Sequence, residues 1–270
     1  MRGMREGRVV AAGRGFTVRS VTCTDDHARW SAAETRGGHA VVLPRRGRFR
    51  RLVDGVAVDL DPTVGYVTVP DAEARFAHPL GGDACTAVAV SPSLWHDVAG
   101  DRRPRAGVYV DGRLDLAHRR LLRAASGFDG DFRLVEELVN LLGLAARRAC
   151  SSPVPADARG SAADRAVVSR ARAVIGADGP AARGLLSLAT HLAVSPYRLS
   201  RAFSREMGVS LTHYRNRVRV GRALDRLSDG DTDGARLAAD LGFADQAHLC
   251  RTIRAHLDHT PTEVRLLLTG

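Results

Sequence analysis

Short apolar runs separated by turn residues fill the chain from residue 16 to about residue 90, a pattern typical of an all-β sandwich or barrel. Asp54 and Gly55 stand between two of these runs and predict a hairpin, because both residue types tolerate a positive φ angle. The runs of strand length are residues 16–23, 39–43, 48–53, 56–60, 66–70 and 85–90. The pattern therefore predicts an N-terminal β-barrel.

After Pro104 the apolar spacing becomes that of amphipathic helices, which we expect at residues 111–127 and 131–150. The apolar stripe of the second helix consists of Phe132, Val135, Leu138, Val139, Leu142 and Ala146. Such helices can pack on their own barrel or pair with a second copy of themselves. The spacing leaves both arrangements open.

A stretch rich in Ser, Pro, Ala and Gly follows, without an apolar period, and is typical of a linker. We expect one domain at residues 1–150, the linker at 151–163 and a second domain at 164–270. The second domain reads as about seven helices, two of which begin with an N-cap followed by proline, at Ser195-Pro196 and Thr260-Pro261. The expected fold class is α+β.

The second domain contains a repeat at an offset of 50, between residues 186–215 and 236–265. Ala189 aligns with Ala239, Leu199 with Leu249, Phe203 with Ile253, and Arg201 with Arg251. Each copy reads as a short helix, a turn and a second helix, so the chain contains two helix-turn-helix units.

The second helix of each unit divides into an apolar face and a polar face, as a DNA-reading helix requires. Arginine can donate two hydrogen bonds to guanine, glutamine can read adenine, and alanine can touch a thymine methyl group. The candidate DNA-binding residues on the polar faces are Tyr197, Arg198, Ser200, Arg201 and Arg205 in the first unit, and Gln246, Ala247, His248 and Arg251 in the second.

The net charge of +10 points towards nucleic acid, although the exclusive use of arginine over lysine also fits a GC-rich genome. Local charge is more informative. Residues 195–226 carry eight arginines against Glu206 and Asp225, whereas residues 227–248 carry five aspartates against Arg236. We therefore expect the first unit and the helix after it to dominate the attraction to phosphates.

These residues resemble the AraC family of bacterial transcription regulators. The resemblance covers about the last 100 residues and rests on the pattern Ser195, Leu199, Arg201, Phe203 and Gly208, and on GFADQAHLCRTIR followed by HTP. The departures are Leu249 and Ile253 in place of phenylalanine, Asp258 in place of glycine, and Val264 in place of tyrosine. At position 258 the turn needs a residue that tolerates a positive φ angle.

The resemblance implies that the two units enter successive major-groove segments about 34 Å apart, separated by a spacer helix from residue 211 to about 227. The implied base-reading residues are Tyr197, Ser200 and Arg201, and Gln246, Ala247, His248 and Arg251. The N-terminal half then looks like a cupin-type sensing and dimerisation domain. The implied partners are double-stranded DNA and a second copy of the chain, with RNA polymerase and a small-molecule effector as further candidates.

Other chemistries find little support in the sequence. The four cysteines form no Cys-x-x-Cys pair, no two histidines stand two residues apart, and nucleotide-binding and hydrolase motifs are missing. We therefore expect free thiols, no metal, no cofactor and no catalysis. His256 and His259 are interpreted as surface or capping residues.

No signal peptide or membrane span is visible, so we expect a cytoplasmic protein without membrane partners. The alternative function is a metal-dependent or small-molecule-processing cupin that carries a DNA-binding domain.

Overall fold

The computed structural model describes residues 5–127, 130–150 and 160–269. The chain divides into two compact units, residues 1–151 and residues 152–270. Most of the predicted linker, residues 151–159, lies outside the described residues. No helix in the described part of the chain is long and apolar enough to cross a membrane.

The N-terminal unit contains two antiparallel sheets. Its strands are β1 (Arg5–Gly13), β2 (Phe16–Cys23), β3 (His39–Arg46), β4 (Phe49–Val53), β5 (Val56–Leu60), β6 (Val64–Thr68), β7 (Ala74–Ala77), β8 (Asp83–Val90) and β9 (Val108–Tyr109). The larger sheet has the order β1-β2-β8-β3-β6-β9 and the smaller sheet β5-β4-β7. Tyr66 of the larger sheet contacts Phe76 of the smaller one, with ring centroids 6.2 Å apart.

The predicted hairpin is confirmed between β4 and β5, where Val53 pairs with Val56. Asp54 and Gly55 have φ angles of 49° and 73°, as this two-residue turn requires. Strands β1, β7 and β9 were not predicted. Strand β1 is mostly exposed, so its residues carry no buried alternating face that a sequence pattern would reveal.

Three helices follow in the N-terminal unit, α1 (Pro92–Ala99), α2 (Gly112–Ala124) and α3 (Gly130–Ala149). They share one apolar core with the larger sheet, in which Val18 and Val88 contribute from the strands, and Leu121, Leu138 and Leu142 from α2 and α3. Packing on their own sheet therefore occupies one face of these helices.

The predicted stripe of α3 is divided by this packing. Leu138, Leu142 and Ala146 are buried, whereas Phe132, Val135 and Val139 are exposed by 84%, 44% and 49%. The exposed three follow one another at helical spacing of three and four residues, so they form a second, uncovered apolar stripe on α3.

The C-terminal unit is all-helical among its described residues, which confirms the α+β fold class. Its helices are α4 (Ala162–Gly176), a short 3-10 helix (Pro180–Arg183), α5 (Leu185–His191), α6 (Pro196–Met207), α7 (Leu211–Ser228), α8 (Gly234–Asp240), α9 (Gln246–Leu257) and α10 (Pro261–Thr269). Leu199, Phe203, Tyr214, Leu249 and Ile253 are fully buried in it. Helix α7 is the predicted spacer and spans about 27 Å at 1.5 Å per residue.

Candidate nucleic-acid interface

The first helix-turn-helix unit consists of α5, a four-residue turn and α6. Ser195 caps α6 by accepting a hydrogen bond from the Arg198 amide, and Pro196 occupies the first turn, as predicted. The helix ends at Gly208, whose φ of 70° is left-handed. Leu199 and Phe203 fix its inner face, so its polar residues point away from the core.

The second unit repeats this construction with different residues. Asp245 caps α9 in the place of Ser195, and Asp258 ends it with a φ of 63° in the place of Gly208. The requirement for a left-handed residue at position 258 is therefore met by an aspartate. Thr260 and Glu263 form a reciprocal capping pair at the start of α10.

The repeat does not keep one offset, which corrects the predicted match of Ala189 with Ala239. Ala239 is exposed, whereas Ala238 is buried like Ala189. The two buried alanines also accept equivalent turn hydrogen bonds, from Val194 and Phe243. The offset is thus 49 in the first helix of each unit and 50 in the second, because the turn of the second unit is one residue longer.

All nine predicted DNA-binding residues lie on α6 or α9. Seven are exposed, and Ser200 and His248 are half-buried. On α6, the Arg201 Nη1 atom donates to the Tyr197 hydroxyl at 2.7 Å, and its guanidinium lies 5.4 Å from the centre of the Tyr197 ring. This contact orients an exposed guanidinium before any ligand binds.

On α9, the imidazole of His248 is oriented by the backbone. Its Nδ1 accepts a hydrogen bond from the Ala244 amide at 3.3 Å, which leaves Nε2 as the outward donor. Arg251 has no tyrosine one turn before it, since Ala247 stands at that position, and no described residue bonds to its guanidinium. Helix α9 therefore presents an oriented histidine and a less constrained arginine.

Comparison with known proteins identifies this construction. Residues 188–266 match a family model described as a helix-turn-helix domain. An 81-residue stretch is 31% identical to the regulatory protein PocR of Salmonella typhimurium, and equally to the arabinose operon regulatory protein of Escherichia coli. The C-terminal unit is a helix-turn-helix domain of the AraC type.

The aligned stretch covers 30% of this chain but only 27% of PocR and 28% of the Escherichia coli protein. The chain thus matches little more than a quarter of these relatives. The structure of ToxT from Vibrio cholerae aligns over its full length with 95% of this chain, at 10% sequence identity and a TM-score of 0.36. A score that low supports no argument about the N-terminal unit.

Much of the positive charge predicted to attract phosphates is already engaged within the AraC-type domain. Asp164 of α4 lies 3.2 Å from Arg198 and 3.7 Å from Arg205. On the spacer helix α7, Arg222 pairs with Asp178, and Arg226 with Asp231 and Asp240.

Arg217 of α7 is buried, which removes a further arginine from the surface. Arg201 of α6 is exposed and forms no ion pair with any described residue. Counting arginines in the sequence therefore overestimated the unpaired positive charge, because most of these acidic partners lie far along the chain and could not be foreseen.

Asp164 is the neighbour of the predicted DNA-binding arginines that sequence reasoning missed. It is the third residue of α4, and Ser161 caps that helix through the Asp164 amide. The hydrogen bond from Arg198 lowers the pKa of its carboxyl group below the usual value, so the acid stays charged beside α6. The sequence pattern of α4 could predict that Asp164 is a polar surface residue. Its arginine partners become visible only in the packing of α4 on α6.

His256 corrects another expectation. It is buried rather than a surface or capping residue, and its ring lies 4.4 Å from that of His213 on α7. It therefore contributes to the packing of α9 on the spacer helix. His259 lies beside Glu263 at 4.0 Å.

Proposed function

We propose that this protein is a sequence-specific, DNA-binding transcription regulator. Its AraC-type domain inserts α6 and α9 into successive major-groove segments on one face of the duplex. The nine residues predicted on these helices make the contacts, with Arg201 and Arg251 as the strongest candidates for reading guanine. The protein acts on double-stranded DNA without catalysis of its own.

The observation that carries this proposal is the repeated reading helix. Both α6 and α9 bury the same two positions, Leu199 and Phe203 in one and Leu249 and Ile253 in the other, and both expose an arginine at the same place. A single arginine-rich helix is commonly a solvated face. Two helices with the same arrangement of an apolar and a polar face support a shared function in DNA binding.

We propose further that the regulator is a homodimer joined through the exposed stripe of Phe132, Val135 and Val139. An apolar stripe at this spacing suits a paired helix, and each residue is far more exposed than an apolar side chain in a packed helix. A dimer would present two AraC-type domains to one operator. RNA polymerase is then a partner on the promoter.

The N-terminal unit is proposed to bind a small anionic effector. A small cleft is lined by Arg51, Arg36, Glu34, Thr68 and Phe76, among others. The Arg51 side chain is buried, its Nε atom makes no hydrogen bond, and no carboxylate of the described residues lies within ion-pair distance. The Arg51 Nη1 atom donates to the Ala106 carbonyl at 3.2 Å and the guanidinium lies 4.5 Å from the centre of the Tyr66 ring, so a bound anion would supply the missing counter-charge.

Gel shifts with the full chain test DNA recognition. The probe is a duplex selected by the protein from a random-sequence pool, at two salt concentrations. We expect Arg201→Ala to lose about 1–3 kcal/mol of binding free energy and to lose preference for one base pair. Arg19→Ala removes the same charge from an exposed position on β2 and is the control. If Arg201→Ala retains both affinity and preference, α6 is not a reading helix.

A further inference from the structure

A cluster of metal-ligating side chains lies in the N-terminal unit, which contains neither helix-turn-helix unit. Cys23, Asp25 and His78 each place one sulfur, oxygen or nitrogen atom within 4.8 Å of the other two. Cys23 ends β2, Asp25 follows two residues later, and His78 follows β7 directly. The fold therefore brings three donors of different types together from two separate segments.

Within the cluster, the Cys23 thiol donates to Oδ2 of Asp25 at 3.3 Å, whereas His78 has a ring nitrogen without a hydrogen bond. The residue is 6% exposed, and its Nδ1 atom is buried without a hydrogen bond. That atom lies 3.9 Å from Oδ2 of Asp25. An unpaired imidazole nitrogen in a buried site costs free energy that a bound cation would recover.

A second carboxylate supports His78 from the other side of its ring. Oδ1 of Asp83 lies 3.0 Å from His78 Nε2, and the Cys85 thiol donates to Oδ2 of Asp83 at 2.9 Å. Metal-binding histidines are commonly held in this way, with one nitrogen on the ion and the other facing a carboxylate. Asp83 Oδ1 has no hydrogen-bond partner among the described residues, so Asp83 acts on His78 through its charge and proximity.

We propose that Cys23, Asp25 and His78 bind one divalent transition-metal ion of the zinc class. A thiolate, an imidazole and a carboxylate are the ligand types that Zn²⁺ takes in proteins, and three protein ligands leave a fourth position for water. Binding replaces the proton of the Cys23 thiol, which passes to solvent. The ion joins the end of β2 to the connection between β7 and β8.

No His-x-His pair marks this site, which explains why no metal ligands were predicted. The ligand signal is a Cys-x-Asp step and a histidine 53 residues further on. Only the pairing of β2 with β8, in which Cys23 is the partner of Asp83, brings the distant segment alongside.

The test is titration of the chelator-stripped full chain with Co²⁺ and then Zn²⁺. We expect one equivalent of Co²⁺ with a thiolate-to-cobalt charge-transfer band, which Zn²⁺ displaces. Cys23→Ser should abolish the band, and His78→Ala should weaken binding at least about 100-fold. Asp83→Asn should weaken it about 10- to 100-fold by loosening the ring of His78.

Cys150→Ser is the matched control, because Cys150 is also a buried, free cysteine of the N-terminal unit but lies outside the cluster. The fluorescence of Trp30 and Trp95, the only tryptophans of the chain, verifies that each variant folds. The wild-type spectrum decides the matter independently of any variant. A wild-type chain without the charge-transfer band, or a Cys23→Ser chain that binds as Cys150→Ser does, overturns the proposal.

Discussion

At the scale of single residues, the charge that an arginine can offer to DNA depends on the residue it is paired with. A count of arginines in the sequence does not show this. Arg201 is held by Tyr197 at 2.7 Å and forms no ion pair within the described part of the chain, whereas Arg198 and Arg205 share Asp164. The same exposed face thus contains one guanidinium that keeps its full charge beside two that are partly neutralised. If α6 contacts DNA as proposed, Asp164 limits its attraction to phosphates in the unbound protein.

Asp164→Asn is therefore expected to tighten DNA binding. It removes a negative charge beside α6 and releases Arg198 and Arg205, so each new phosphate contact steepens the salt dependence by about one unit of slope. Affinity measured from low to moderate salt checks this. Asp97→Asn, an exposed acid of α1 in the other unit, is the control. Equal slopes for the two variants would mean that Asp164 does not restrain these arginines.

His118 predicts how the N-terminal unit responds to acid. Burial in α2 lowers its pKa to about 4 from the usual 6.5, so the folded state binds this proton less readily than the unfolded chain. The contribution of the neutral His118 to the free energy of unfolding is fully present above pH 6.5. It decreases by about 3 kcal/mol as the pH falls towards 4.

His118→Gln should reduce this loss between pH 7 and pH 4.5. Denaturant unfolding followed by tryptophan fluorescence reports on the right unit, since both tryptophans lie there. The quantity to compare is the pH-dependent difference between variant and wild type. His96→Gln, which changes an exposed histidine of α1, should leave the difference unchanged. An unaltered pH dependence in His118→Gln would contradict the assignment.

At the scale of elements, the two helix-turn-helix units share one construction but differ at a left-handed turn residue. Ala193 has a φ of 54° in the first turn, and Gly242 has a φ of 70° at the equivalent position, 49 residues later. Alanine is strained in this region, whereas glycine is not. The first unit therefore carries backbone strain that the second avoids.

Ala193→Gly and Gly242→Ala form a matched pair of opposite sign. We expect the first to stabilise the C-terminal unit by a few tenths to about 1 kcal/mol, because relief of strain exceeds the added chain entropy. The second should destabilise it by about 1 kcal/mol or more, since a new Cβ also lies 3.3 Å from the Arg219 guanidinium. Chemical unfolding followed by circular dichroism measures both. If both substitutions stabilise the C-terminal unit, or both destabilise it, the two turn positions are not equivalent.

The elements also show what a sequence can reveal. Caps such as Ser195-Pro196, the Asp54-Gly55 hairpin and the seven helices were predictable, because each depends on neighbours within a few residues. The offset of the repeat was misjudged, since one inserted turn residue leaves the helix patterns unchanged. Asp164, His256 and the Cys23 cluster depend on contacts between distant segments, which no local pattern encodes.

At the scale of the whole molecule, the uncovered stripe on α3 predicts the oligomeric state. Phe132→Glu places a charge in the proposed seam, so we expect sedimentation to show a monomer where the wild-type chain is a dimer. Val9→Glu changes an exposed apolar residue of β1 and should leave the dimer intact. Loss of the dimer in Val9→Glu alone would locate the interface at the edge strand instead.

The central proposal is that α6 and α9 bind the same DNA duplex together. Variants that each change one of these helices test it. In a selected duplex, methylation of guanine N7 should interfere with binding at two clusters per protomer, on one face and about 10–10.5 base pairs apart. Arg201→Ala should erase one cluster and Arg251→Ala the other. A single cluster, clusters on opposite faces, or both clusters persisting in both variants would contradict the proposal that α6 and α9 read DNA side by side.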